Sequence, residues 1–227
     1  MPDTKTRAKK SGPAKRGRPR KTPADEASTR AQIIETAMHA FARNGFDGVT
    51  MTEIARQADV SQTLMHYYFD DKFALWDEAV QLAYTDLHAA FDDFSTELAD
   101  LDCVEQLKLA VRRFVRISAR RPEIALLNIQ SLAGHGAQLR HVIDEHIAPL
   151  QNQMISLIVQ AQDQGRMKPG DPAHALQITI GAVVHFLITG AMSQPMHGIN
   201  PLDEEWIKKH ADLVVEILFH GSLTDPD

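Results

Sequence analysis

The side chains best placed to do chemistry in this 227-residue chain are hydrogen-bonding and cationic rather than nucleophilic. Gln62, Thr63, His66 and Tyr67 crowd one short stretch behind Ser61. A glutamine can pair bidentately with adenine, and a threonine can touch a thymine methyl or a base edge. His66 and Tyr67 have the reach for phosphates or bases. Thr50, Thr52 and Lys72 stand at helix starts, where hydroxyl, amide and ammonium donors meet phosphates. Far upstream, Arg16-Gly17-Arg18-Pro19 is flanked by Lys15, Arg20 and Lys21. There the glycine lets the backbone press close, while Arg16, Arg18 and Arg20 suit a narrow minor groove of enhanced negative potential. All of this is chemistry for a polyanion. The alternative for any single residue is an ordinary exposed polar side chain, and for the basic run a solubilising or sequence-independent tether.

Charge distribution sharpens the reading. The net charge is −6, yet residues 1–22 carry nine basic side chains against Asp3, a balance of +8, which leaves −14 on the other 205 residues. Residues 31–75 hold Arg43, Arg56 and Lys72 against six acids. Phosphate neutralisation supplies much of protein–DNA affinity, so the tail is expected to supply electrostatic affinity and the Ser61 stretch to supply sequence preference.

Other chemistries find little purchase. There is no Gly-x-Ser-x-Gly elbow, no phosphate loop and no dinucleotide fingerprint, so no enzyme is expected and no cofactor. The lone Cys103 forms no internal disulfide and no thiolate metal set. Among eleven histidines, His141 and Glu145 share a helical face with His146 adjacent, short of the three or four convergent ligands a site needs, so no metal is expected. The basic start lacks an apolar core, which argues against a signal peptide and for a cytoplasmic globular protein. Pro172 to Leu202 contains no charged residue, but its His, Gln, Thr and Gly content suits a buried or interfacial helix better than a membrane span.

The elements that must position these groups read as all-α, about nine helices. Residues 1–27, with four prolines, are expected to be a disordered tail. From Ser28 the period becomes 3.6, through Ile33, Ile34, Ala37 and Phe41 to a stop at Asn44-Gly45. Thr50-Met51-Thr52-Glu53 reads as a capping box opening a second helix, and Ser61 caps a third that runs to Tyr68 or Phe69. Two short helices joined so tightly make a helix-turn-helix, giving a DNA-binding domain over 28–72. A long amphipathic helix over Lys72 to Phe94 opens the domain 73–227. Further helices follow from Cys103 to Arg120, from Pro122 onward, from Gln138 to Gln164 with a kink at Pro149, from Ala173 to Met192, and from Glu204 to His220 behind Asp203.

Residues 28–75 resemble the TetR family of bacterial regulators. The matching text is Asn44-Gly45-Phe46, Val49-Thr50-Met51-Thr52-Glu53-Ile54-Ala55, Val60-Ser61 and Tyr68-Phe69-Asp70-Asp71-Lys72 with Leu75. Three positions depart from the pattern: Asp59 where a turn glycine is usual, His66 where a phosphate-touching tyrosine is frequent, and Thr63 where a small residue is common. Asp59 is expected to need a left-handed backbone, which Asp tolerates better than most residues. The basic tail resembles an AT-hook. The family resemblance implies a homodimer, an N-terminal DNA-binding domain and a C-terminal helical domain with a small-molecule pocket. Arg121-Pro122-Glu123 through Leu132-Ala133-Gly134 also resembles a branch of the family containing a pyrimidine-utilisation repressor, without naming a ligand.

Pocket candidates are polar residues on apolar helices: Ser118, Asn128, Gln130, Ser131, His135, Gln177 and His185, with Phe114 and Met154 among the apolar ones. The reading that results is a ligand-responsive repressor, dimeric through about 173–192 and 204–220, bound to a palindromic operator and released by a small molecule. An architectural protein of A·T-rich DNA and an activator on the same fold are the alternatives.

Overall fold

A computed structural model describes residues 23–92, 100–133 and 136–220. The element order is α1 (Pro23–Asn44), α2 (Met51–Gln57), α3 (Gln62–Tyr68), α4 (Lys72–Asp92), α5 (Cys103–Arg120), α6 (Glu123–Ala133), α7 (Ala137–Val142), a π turn (Ile143–Ile147), α8 (Ala148–Asp163), α9 (Pro172–Ile188), α10 (Gly190–His197) and α11 (Glu204–His220). No strand occurs among the described residues. With the run from α7 through the π turn to α8 counted as one element, these make ten helices against the nine or so expected. The AT-hook-like run with Arg16, Arg18 and Arg20, and His135 as well, lies outside the described residues.

Local chemistry sets the first boundaries. The chain is helical from Pro23, so residues 23–27, read from sequence as the end of the tail, belong to α1; a proline suits the first helical turn, whose N–H groups have no intrahelical acceptor. Thr50 Oγ1 accepts the Glu53 N–H at 3.2 Å, and Ser61 Oγ accepts the Leu64 N–H at 3.1 Å. Only half of the expected capping box forms, because the Glu53 carboxylate is drawn instead to Arg56 and Gln57. Between α2 and α3, Asp59 sits at φ +53° and is the one non-glycine in the left-handed region among the described residues.

Farther along, two helices depart from the expected pattern. The kink read at Pro149 is a π turn immediately before it, in which the Ala148 N–H reaches back to the Ile143 carbonyl. A proline at 149 can donate nothing to the carbonyl four residues back and its ring crowds it, which favours an extra residue there. The helix read as Ala173–Met192 breaks at Thr189, where α9 and α10 bend by 64°. Thr189 Oγ1 donates to the His185 carbonyl at 2.8 Å, and a Cβ on Gly190 would meet the Pro201 ring at 3.2 Å, so the glycine lets the following turn close in. Asp203 stands before α11 as expected, but its carboxylate accepts from the Asn200 amide. No single helix among the described residues is long and apolar enough to cross a membrane.

The core is continuous from end to end. α1 packs against α4 and α6, α5 against α8, α9 and α11, and α9 against α8 and α11. Ile33, Phe41, Ile54 and Met65 close the small N-terminal bundle, and Leu75, Trp76, Val80 and Tyr84 carry the packing along α4 into the larger C-terminal one. α4 therefore belongs to both cores.

Candidate nucleic-acid interface and effector cavity

At the N-terminal end, α3 buries Met65 and leaves the opposite face in solvent. Gln62, Thr63, His66 and Tyr67 are all exposed, Tyr67 at 70%. A large aromatic left that open, its ring edge-on to Tyr68 at 5.1 Å, is a group available for a partner. Gln62 Nε2 donates to Thr52 Oγ1, so the first turn of α3 is oriented by the first turn of α2. Thr50 is exposed, with its hydroxyl engaged in its own cap. The four α3 residues with Thr50 and Thr52 form one polar surface.

Lys72 behaves differently from its neighbours. Its Nζ donates to the carbonyls of Phe46 and Val49 at 3.0 and 3.2 Å, and lies 4.2 Å from the centroid of the Phe46 ring. The ammonium thereby clamps the α1–α2 loop, which would otherwise leave two carbonyls short of donors. Two of the three ammonium donors are thus engaged within the chain, which gives Lys72 a structural role beside the phosphate contact expected from sequence.

At the other end, α4, α5, α6, α8, α9 and α11 enclose a cavity of about 420 Å³. Leu107, Val111, Phe114, Ile124, Met154 and Ile158 are among its many apolar walls. Polar groups come from Tyr84, Ser118, Asn128, Gln151 and Thr179, and no carboxylate, ammonium, guanidinium or imidazole lines it. Tyr84 Oη donates to Asn128 Oδ1 at 2.6 Å, and burial pushes the Tyr84 phenol well above its usual range, which keeps it a neutral donor. A few convergent polar groups in an apolar chamber of this size suit a small, largely uncharged molecule.

Four of the pocket candidates, Phe114, Ser118, Asn128 and Met154, line this cavity. The others do not. Gln130, two residues from Asn128 and so on the far side of α6, donates to the Arg43 carbonyl at the end of α1 at 3.4 Å. Ser131 is buried off the wall, His185 is exposed, and Gln177, itself not on the wall, donates to the lining residue Gln151 at Oε1, 3.3 Å away. Tyr84, Gln151 and Thr179 were missed by sequence reasoning. A tyrosine on the apolar stripe of α4 was the available signal for the first; nothing in the local pattern marks the other two.

The two ends are joined by more than α4. α6 lines the cavity with Ile124, Asn128 and Leu132, while its other side meets α1, through Gln130 and through Glu123, whose Oε1 lies 3.1 Å from His39 Nδ1. Arg30 of α1 is paired with Glu78 of α4 at 2.5 Å. α1, the first helix of the DNA-binding end, therefore contacts two of the elements that line the cavity.

Comparison with known proteins agrees with this geometry. Residues 33–79 match the family described as "Bacterial regulatory proteins, tetR family". The chain is 22% identical over 189 residues to the HTH-type transcriptional regulator RutR of Escherichia coli (strain K12), which covers 83% of this chain and 88% of RutR. Among solved structures it is similar to HlyIIR, a hemolysin II transcriptional regulator, with a TM-score of 0.65 and 18% identity over 88% of this chain and 99% of that one. It is also similar to AibR in complex with isovaleryl coenzyme A and operator DNA, with a TM-score of 0.59 and 20% identity over 84% of this chain and 98% of AibR.

Proposed function

We propose that this chain, which belongs to the tetR family of bacterial regulatory proteins and is a DNA-binding transcription regulator, acts as a homodimeric repressor released from a palindromic operator by a small apolar molecule. The observation that carries this is the placement of an exposed recognition surface on α3 and a chamber of about 420 Å³ at opposite ends of one helix, α4. In a dimer the two α3 helices would enter successive major grooves about 34–36 Å apart. A ligand in the chamber then needs only to prefer an arrangement in which α4 has shifted that spacing, a coupling of about 1–3 kcal/mol.

Support for dimerisation comes from the outer faces of α9, α10 and α11. Ile178, Met192, Leu213 and Ile217 are each at least half exposed, on elements that include the charge-free stretch Pro172 to Leu202. Apolar exposure of this kind marks an interaction surface, and two such helices from each protomer would form a four-helix contact. Residues 1–22, with their balance of +8, would add phosphate contacts beside the operator, and Arg16-Gly17-Arg18-Pro19 would enter an adjoining A·T-rich minor groove. The protein would work in the cytoplasm, where the operator lies. AibR, bound to both a coenzyme A ester and operator DNA, is a precedent for a fold of this kind holding both partners.

The test is a thermal-shift screen of small apolar compounds followed by DNA binding. Compounds that raise the melting temperature by occupying the chamber should lower DNA affinity by tenfold or more, on the order of the coupling above. Chamber ligands that stabilise the protein and leave DNA affinity unchanged would defeat the proposal.

A further inference from the structure

A second polar cluster lies outside the effector chamber and the α3 surface, where α4 meets the π turn. Asp77 Oδ1 and His141 Nε2 are 2.5 Å apart, and with a ring nitrogen of His146 they present three ligand atoms within 4.8 Å of one another. His146 is 7% exposed, and neither of its ring nitrogens has a hydrogen-bond partner among the described residues. A neutral imidazole carries one donor and one acceptor, and burying both unmatched is costly. The ring does not lack packing. Tyr84 and His88 stack on it at 5.0 and 5.4 Å, while His141 meets it edge-on at 6.0 Å. What it lacks is something to coordinate.

The π turn explains how the cluster forms. On a regular α-helix at roughly 100° per residue, residues five apart point about 140° away from each other. The i→i+5 closure at Ile143–Ile147 brings positions 141 and 146 toward one face instead, and leaves Glu145 exposed. Pro149 sets the location of that turn, so the sequence itself builds the convergence. His88 is not free to join, since its Nε2 lies 3.2 Å from the His146 carbonyl.

We propose that Asp77, His141 and His146 form a binding site for a divalent transition-metal ion of the zinc class, with a water or external ligand completing the tetrahedron. Two imidazoles and one carboxylate favour such an ion over magnesium or calcium, which select all-oxygen shells. With metal–ligand bonds of about 2.0–2.2 Å, tetrahedral donors stand about 3.3–3.6 Å apart. The site therefore forms by a slight parting of Asp77 from His141 and a small inward movement of His146. The ion ties α4 to the α7–π run beside Tyr84, whose ring stacks on His146 at 5.0 Å, and the rings of Phe73 and Trp76 flank His141 at 5.7 and 5.9 Å.

The experiment uses the full chain without a polyhistidine tag, stripped with a chelator and titrated with Co²⁺ and then Zn²⁺. The site predicts one equivalent of Co²⁺ per chain with the visible d–d bands of tetrahedral coordination, displaced by Zn²⁺. Asp77→Asn and His141→Gln, both at part-exposed positions, should weaken binding on the order of tenfold or more, whereas Glu145→Gln should bind as the parent does. No saturable binding overturns the proposal, as does binding unchanged in both ligand variants or lost in Glu145→Gln. Should a ligand variant fail to fold, X-ray absorption on the zinc-loaded parent decides. A shell with two imidazoles and oxygen supports the site, and a thiolate or a single imidazole refutes it.

Discussion

Tyr84 Oη and Asn128 Oδ1 meet at 2.6 Å on the wall of the effector chamber, joining α4, which leads to the helix-turn-helix, to α6, which touches α1. On the proposed mechanism, a ligand with its own donor or acceptor would compete for this bond and loosen the two elements that position the DNA-binding end. Gln130 continues the path on the other side of α6, with its amide on the Arg43 carbonyl.

The bond should be measurable as a pair. Tyr84→Phe removes the donor and leaves the Asn128 carbonyl oxygen part-buried without it, a loss of about 1 kcal/mol. Asn128→Ala should cost a similar amount for the bond, and thermal unfolding of both variants and of the double variant should give a coupling of about 0.5–1.5 kcal/mol. Strict additivity would mean that the contact carries no energy.

The α3 surface should separate recognition from stability. Gln62→Ala and Tyr67→Ala remove exposed groups, so unfolding should change little, while affinity for the preferred site falls by about 1–3 kcal/mol each. Lys72→Ala should behave in the opposite way, lowering stability through the freed Phe46 and Val49 carbonyls by about 1–3 kcal/mol. Paired anisotropy and chemical-denaturation measurements distinguish the two patterns.

Leu213 and Ile217 test the assembly. Glutamate at both positions places two carboxylates in the proposed apolar contact between protomers, where burying them is costly. Sedimentation should show the parent as a dimer and the double variant as a monomer with a preserved helical spectrum and weakened DNA binding. A parent that sediments as a monomer at micromolar concentration would remove the dimeric mechanism.

His210 gives a pH dependence. Its ring stacks on Phe186 at 4.3 Å, and burial holds its pKa below the ordinary 6.5, opposed in part by carbonyl contacts at Val183 and Ala182. The unfolded chain therefore takes up the proton first as pH falls. Stability is fully present above about 6.5 and declines below it until the depressed folded-state pKa is reached. Unfolding midpoints from pH 8 to 5 should show this decline, and His210→Phe should reduce its slope. An unchanged slope would assign the decline to other groups.

The N-terminal half was readable because its signals are local. The caps at Thr50 and Ser61, the Asn44-Gly45 stop and the strained turn at Asp59 each depend on residues within one turn of each other. The chamber was less so. Asn128 and Gln130 are both amides on an apolar helix, and only the rotation of α6 against its neighbours sends one to the cavity and the other to α1. The 3.6 period also paired His141 with Glu145, because a π turn cannot be seen in a hydrophobic pattern. With the turn in place His146 takes the inward position, and Asp77, distant in sequence, completes the group.

The most direct test of the account is to select genomic DNA fragments on the purified full-length chain, and on residues 23–227, at near-physiological salt, and to sequence what is retained. The account predicts one palindromic site whose half-sites lie about one helical turn apart, kept by both forms, with weaker retention and a flatter salt dependence when the nine basic residues are gone. Scattered A·T-rich fragments without a palindrome, all lost on truncation, would contradict it and leave an architectural protein held to DNA by its tail.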